Sequence, residues 1–394
     1  MKKVFLGVIA LALLALPLQA EESMNPIITA MPSLSIAPDA HAGGLGDVGV
    51  ATTPDLNSQH WNPAKYAFMQ SHGGITANYT PWLRKLVSDI DLAYIAGYYK
   101  WSDNDAIGAS FTYFSLGAVS LTNENADFLA EAHPNEWALD VSYSRKLHEY
   151  VSMAVALRFM YSDLNNGVNQ AVNTPEMYPG WTMAADVALF YKQPIELPMG
   201  TSYISAGLNI SNLGGKISYD QNNHSSFIPA QMRLGVSYEL AFDNYNRLSV
   251  NADLGKYLVP TRKSKFAVDS NGDPLTGQAL TDWYSAISSP KGWAWSFADA
   301  PGGALEEFRE LQYGIGLEYS YNRQFFGRVG YSHENKWKGN RRYVTVGAGF
   351  NLSIFSLDVA YVIATSAANP LDQTLRFTVG FDLAGIKDLV NNRR

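Results

Sequence analysis

The sequence has 394 residues, a formal charge of −7 and no cysteine. The missing thiols exclude a disulfide framework and thiolate catalysis, and the acidic balance argues against a nucleic-acid partner. Aromatic residues make up 13% of the chain, with 23 Tyr and 32 Gly, a composition that points to β-structure.

The chain opens MKKVFLGVIALALLALPLQAEES. Lys2 and Lys3, an apolar run from Val4 to Leu16 and the small residue Ala20 describe a secretory signal peptide over residues 1–20. No cysteine follows the apolar run, so a lipoprotein anchor is excluded. After the signal no stretch of about 18 apolar residues remains, so no helix is expected to cross a membrane.

Strict alternation of apolar and polar residues marks fourteen strands. They fall near 72–80, 90–100, 105–116, 136–146, 150–161, 181–192, 201–211, 227–240, 246–258, 311–321, 324–334, 342–351, 354–363 and 373–383. Most are about ten residues long, the length a tilted strand needs to cross the hydrocarbon layer. The connectors after even-numbered strands are short (SDND, HE, QPIELPM, AFDN, NR, SI), whereas most after odd-numbered strands are long, notably 117–135, 163–180, 212–226 and 259–310. Short turns at one end and long loops at the other is the layout of an outer-membrane barrel. The expected fold is therefore an all-β, 14-stranded antiparallel transmembrane β-barrel.

Charge placement agrees. Asp140, Arg158, Asp186, Arg233, Asp253, Glu318, Arg328, Asp358 and Arg376 all fall on the polar face of their strands. An arginine facing lipid at mid-membrane costs roughly 2–4 kcal/mol, so this face is expected to line the lumen. An even strand number puts both barrel ends on the periplasmic side and the long loops outside. Tyr98, Tyr99, Trp101, Tyr319 and Tyr321 suit a periplasmic aromatic girdle.

About fifty residues, 21–70, precede the first strand. They are too rich in Ile, Leu, Trp and Phe for a disordered tail, and a fourteen-stranded interior is too wide for its own side chains to fill. The segment is expected to fold into the lumen as a hatch. The organisation then reads as signal peptide 1–20, hatch 21–70, barrel 71–384 and periplasmic tail 385–394.

Chemistry-bearing motifs are few. Gly44-Leu45-Gly46-Asp47-Val48-Gly49 matches G-x-G-x-x-G in letters, but no βαβ unit surrounds it; a tight backbone path is the simpler reading. DSNGDPLTG (Asp269, Asn271, Asp273) has the spacing of half a calcium loop, with Leu280 where the twelfth-position Glu belongs. His224 stands beside Ser225 and Ser226 in a loop where a lipid A deacylase could work, but adjacent positions rarely orient a Ser–His pair. No metal spacing is found and no cofactor is expected, so the chain reads as a non-enzyme. The 259–310 loop carries Trp283, Tyr284, Trp293, Trp295 and Phe297, which would either dock a partner or pack as a lid.

The run GGLGDVGVATTPDLNSQHWNPAKYAF, ending in Asn62-Pro63-Ala64 just before the first strand, resembles the hatch of FadL-type outer-membrane proteins. Its Gly-rich stretch and TTPD are similar to the PorV/PorQ family of the Bacteroidetes. That resemblance implies a FadL-like barrel of the type IX secretion system that receives cargo by its C-terminal signal domain. It also implies as partners a surface sortase, which removes the signal and attaches cargo to lipopolysaccharide, and a large translocon barrel. The alternative within the wider family is a transporter of hydrophobic small molecules, which would need an apolar pocket behind the hatch and an opening in the barrel wall.

Overall fold

The structure, a computed structural model, describes residues 24–84, 87, 89–122, 125–166, 168, 178–220, 224–352, 354–365 and 371–383. The expected signal peptide and periplasmic tail lie outside the described residues. Fourteen strands form a closed antiparallel barrel. In chain order they are β1 (Gly73–Pro81), β2 (Asp91–Lys100), β3 (Asp105–Ser115), β4 (Asn135–His148), β5 (Val151–Asp163), β6 (Gly180–Leu197) and β7 (Gly200–Gly214). The second half is β8 (Gln231–Ala241), β9 (Asn246–Tyr257), β10 (Gln312–Tyr321), β11 (Phe325–His333), β12 (Arg342–Asn351), β13 (Phe355–Ala364) and β14 (Leu375–Asp382). Each strand pairs with its sequence neighbours, and β1 closes the ring on β14 with Gly74 opposite Asp382.

The closure follows from the alternation. On β5, Ala154, Ala156, Arg158 and Met160 are buried inside while Val155 and Leu157 face out, Leu157 being 61% exposed. The same division runs round the barrel, leaving an outer surface of Ile, Leu, Val and aromatic side chains and an inner surface of Gly, Ala, Ser, Asn and paired charges. Besides a shift at Lys146–His148 next to the β4–β5 turn, one irregularity lies within the lumen wall: between β6 and β7 the register shifts at Asp186, opposite Asn212, which takes a positive φ of 59°. This bulge turns Asp186 toward Arg158, as bulges commonly re-aim a side chain.

One girdle expectation needs correction. Tyr99, Trp101, Tyr319 and Tyr321 are outward and exposed, but Tyr98 is 4% exposed and points inward, stacked on Tyr66. Adjacent residues of a strand face opposite sides, so Tyr98 and Tyr99 cannot share the girdle.

The segment before β1 crosses the whole interior. Asn25 donates its backbone N–H to Trp337 O and its side-chain amide to Glu306, both at the long-loop end. Short helices at Ala40–Gly44 and Ser58–Trp61 lie within the lumen, and a 3-10 turn at Pro63–Phe68 leads to the short-turn end, where Ser71 bonds Tyr98. Both barrel ends sit at that short-turn end, as the strand parity requires, but the preceding segment begins from the opposite one.

Above the long-loop end, residues 259–310 fold into three helices, Gly277–Ala286, Ser289–Trp295 and Ala304–Arg309. Sequence alternation gave no sign of them because the segment carries no strand period.

Candidate functional site

The lumen is closed by side chains from both the segment and the wall. Asp39 caps the Ala40–Gly44 helix by accepting from Ala42 N at 2.8 Å, and its other oxygen accepts from Trp61 Nε1 at 2.7 Å. Asn62 ends the Ser58–Trp61 helix. Its side-chain amide donates to Val50 O at 3.0 Å and Leu189 O at 2.9 Å, while its oxygen accepts from Ala64 N. Pro63 starts the 3-10 turn, a position where its missing N–H costs nothing, and Ala64 O accepts from Ser152 and Ser144 on the wall. Asn62-Pro63-Ala64 thus ties the segment to β4, β5 and β6. Lys65, fully buried, donates to Gly49 O and Thr52 Oγ1.

The nine charges assigned to the lumen lie on the inner surface in three groups. Arg158 bridges Asp140 and Asp186 and donates to Asn212. Arg328 joins Glu318 at 2.6 Å and Asp358, and His41 from the hatch completes this group, with Nδ1 2.7 Å from Asp55 and Nε2 3.2 Å from Glu318. The rest hold the segment directly. Asp253 accepts the backbone N–H of Gly49 and Val50 at 2.8 and 3.0 Å, Arg376 donates to Asp47, and Arg233 lies over the Trp61 ring. Buried charges are tolerated only when paired in this way.

Sequence reasoning named the wall charges but missed Asp47, the partner of Arg376, the segment's own polar groups Asp39, Asp55 and Lys65, and the inward polar residues Asn209, Thr345 and Thr378 that bond Trp61 O, Gly44 O and Ala40 N. The inward alternation of those three was a usable signal. The G-x-G-x-x-G run lies here too: Gly46 has φ 76° and a Cβ on it would sit 2.6 Å from Tyr331 N, so Gly44 and Gly46 serve close approach to the wall, while Gly49 makes room for the Trp61 ring.

Two spaces remain. A vestibule of about 600 Å³ opens toward the short turns, lined by His41, Asp55, Lys192, Glu239, Arg247 and Glu318 among others. A smaller one of about 80 Å³, lined by Asp47, Arg233, Asp253, Tyr343 and Arg376, lies on the long-loop side. They share no lining residue, so the segment between them interrupts the lumen.

At the lid, Tyr284 is buried against Phe227, Tyr257, Leu258 and Val259, with Trp283, Trp293 and Trp295 half-buried on the same cluster and Phe297 exposed. Tyr284 donates to Pro260 O. Lys216 Nζ donates to the carbonyls of Tyr284 and Ser285 and lies 4.1 Å from the Phe227 ring centroid; burial pulls it down to about 8. Lys256 reaches Glu307 and Glu310, and Lys338 reaches Glu306 and Glu310, so the Ala304–Arg309 helix is held to the rim by charge. His224 sets Nδ1 2.7 Å from Asp220 and Nε2 3.3 Å from Asp282, and Ser225 bonds Ser285 O instead. That arrangement is a clasp between loop and lid helix and does not set a serine on the histidine. Asp269 accepts the N–H groups of Asn271 and Asp273, making a turn. Among the described residues no group of three His, Asp or Glu could hold a metal.

A sequence model of the family described as Type IX secretion system protein PorV matches residues 19–264. Among solved structures the chain is similar to the Pseudomonas putida toluene transporter TodX, with a TM-score of 0.49 and 9% identity over 91% of this chain and 98% of that one. The Ralstonia pickettii toluene transporter TbuX gives 0.46 and 12% over 87% and 96%, and a Pseudomonas aeruginosa FadL homologue gives 0.42 and 12% over 91% and 100%. No curated protein matches the chain significantly.

Proposed function

Because this chain belongs to the PorV family of type IX secretion system proteins, we propose that this outer-membrane barrel is a non-enzymatic receptor for secreted cargo. It would hold each cargo by its C-terminal signal domain and present it to the surface sortase, which removes the signal and attaches the cargo to lipopolysaccharide. The long loops face the exterior in this reading, and cargo crosses through a separate, larger barrel.

The observation that supports a receptor over a conduit is the interrupted lumen. Asn62, Lys65, Asp253 and Arg376 fix the hatch through buried bonds, and a folded protein has no path through what remains. Binding then falls to the loops, where residues 259–310 offer the largest surface. Trp283, Trp293, Trp295 and Phe297 on that lid are the residues assigned to contact a partner, with Tyr284 as their buried anchor.

Transport of hydrophobic small molecules fits less well. The vestibule mixes Lys192, Glu239, Arg247, Glu318 and Arg328 with Phe68, Phe326, Phe350 and Ile354, so it is not a wholly apolar pocket, and every neighbouring strand pair is hydrogen-bonded round the ring, so a wall opening lacks support.

The test is affinity capture of the tagged protein from outer membranes in mild detergent, with bound material identified by mass spectrometry. Surface proteins sharing a C-terminal domain, recovered with a sortase or a very large barrel, are expected. Recovery of the barrel alone with bound fatty acid overturns the proposal.

A further inference from the structure

We infer that the outer face of the lid carries a binding site for an anionic saccharide, formed by the rings of Phe266, Trp283 and Trp295 and the cations of Arg262, Lys265 and Lys291. The inference rests on the outward orientation of the long loops proposed above.

The residues converge from three stretches of the lid. Trp295 is the centre: the Phe266 ring centroid lies 4.8 Å from it and that of Trp283 lies 6.1 Å away at an interplanar angle of 21°. All three rings are half-buried, so each keeps part of its surface toward solvent. Lys291 Nζ is 4.2 Å from the Trp295 centroid and Lys265 Nζ 5.3 Å from that of Phe266. Arg262 donates to Thr281 Oγ1, on the helix that carries Trp283. The three cations are exposed.

What distinguishes them is the lack of carboxylates. Of the lysines that reach the lid from the barrel side, Lys256 and Lys338 are matched by Glu306, Glu307 and Glu310 and Lys216 is taken up by the carbonyls of Tyr284 and Ser285, whereas among the described residues no ion pair engages Arg262, Lys265 or Lys291. Unmatched like charges gathered round apolar rings repel one another, and an anion bound among them relieves that repulsion. The rings offer flat apolar area for the C–H face of a sugar, with cations at the edge for its charged groups. An acidic peptide fits less well: the surroundings are the helices Gly277–Ala286 and Ser289–Trp295, which present no open strand edge for main-chain pairing. In an outer-membrane barrel, the phosphorylated saccharide within reach of such a surface is that of the lipopolysaccharide in the surrounding leaflet.

The experiment titrates the purified full-length mature protein in detergent with lipid-free phosphorylated core oligosaccharide, by calorimetry. Saturable binding is expected. It should weaken about tenfold or more in K265A/K291A, with enzymatically dephosphorylated oligosaccharide, and on raising salt from about 50 to about 300 mM, since exposed charge contacts are screened. These lysines are exposed, and an unchanged tryptophan emission spectrum checks that the lid still folds. Absence of binding, equal affinity for the dephosphorylated sugar, or no effect of K265A/K291A overturns the inference, as does full displacement by an acidic peptide of equal charge. The receptor reading fails separately: cargo captured by a protein that binds no sugar removes the saccharide site alone, and sugar bound by a protein that captures no cargo removes the receptor alone.

Discussion

Asp47 of the hatch accepts a hydrogen bond from Arg376 on the last strand and another from the Tyr343 hydroxyl on β12. Asp47 itself has a positive φ of 61°, so the backbone is bent to present its carboxylate to the wall. Arg376 is 1% exposed and borders the smaller of the two lumen spaces. The contact joins the segment before β1 to the last strand and holds that segment across the barrel.

Replacing Arg376 by Met should therefore free the hatch without dissolving the barrel. Removing one member of a buried pair commonly costs about 3–5 kcal/mol because the other charge is stranded; Asp47 keeps Tyr343 and some solvent, so the lower end is expected. Hydrogen exchange over residues 40–50 should rise and channel conductance in planar bilayers should appear or increase. D47N in the same chain should recover part of the protection. Unchanged exchange and conductance in Arg376→Met would mean that the pair does not hold the hatch.

Close backbone contact makes a second, independent anchor. A Cβ at Gly330 would overlap the Leu45–Gly46 peptide, and one at Gly316 would sit 2.6 Å from Leu45 O. Gly330→Val should displace the hatch and loosen it, since overpacking commonly costs about 1–3 kcal/mol. Gly327→Ala serves as control, because nothing lies within 4 Å of a Cβ there. Protease sensitivity of residues 40–62 is the readout, with heat-modifiable gel mobility to show that the barrel is intact. Equal sensitivity in the two variants would remove the glycine track from the account of sealing.

The barrel was legible because membrane strands obey period two on both faces, so Leu139, Asp140 and Val141 declare their sides in sequence. The lumen charges followed from that alternation alone. The pairings did not: nothing in the sequence links Asp47 to Arg376 or His41 to Asp55 and Glu318, since they depend on how the hatch is threaded. The lid was opaque for a different reason. Its helices are short, and Tyr284 is buried by contact with Phe227 and Val259, residues brought in from separate loops. Tyr98 shows the cost of reading aromatic clusters without the pleat.

Deleting residues 262–308 should leave a barrel that inserts and seals, because the hatch bonds of Asn62, Asp253 and Arg376 lie below the lid. Cargo capture should fall. The cut also removes Glu307 from Lys256 and Glu306 from Lys338 and leaves both lysines to share Glu310, so a companion deletion of 277–295, which spares all three glutamates, separates loss of the aromatic surface from partial loss of the lysines' partners. Capture that survives both deletions would remove the lid from the receptor surface.

The lid should also tighten in acid. Burial, together with Glu310 and Glu307, raises Asp299 from the usual 3.8 to about 7, against the pull of the Thr261 N–H and Lys256. The docked lid thus holds a proton on Asp299 where an undocked one does not, and its stability falls as pH rises between about 4 and 7 and is level above that. His224 adds in the same direction. Asp220 in its own loop, and Asp282 on the lid helix, raise it above 6.5; the part due to Asp282 depends on docking, so that contribution is full below 6.5 and is lost as pH climbs through the raised value. The lid transition, followed by tryptophan fluorescence during heating, should shift to lower temperature from pH 5 to pH 8. Asp299→Asn, which keeps an acceptor for Thr261 without a charge, should flatten the lower part of that dependence, and His224→Asn the upper part. A transition that moves with pH equally in wild type and the double variant would place the titration elsewhere.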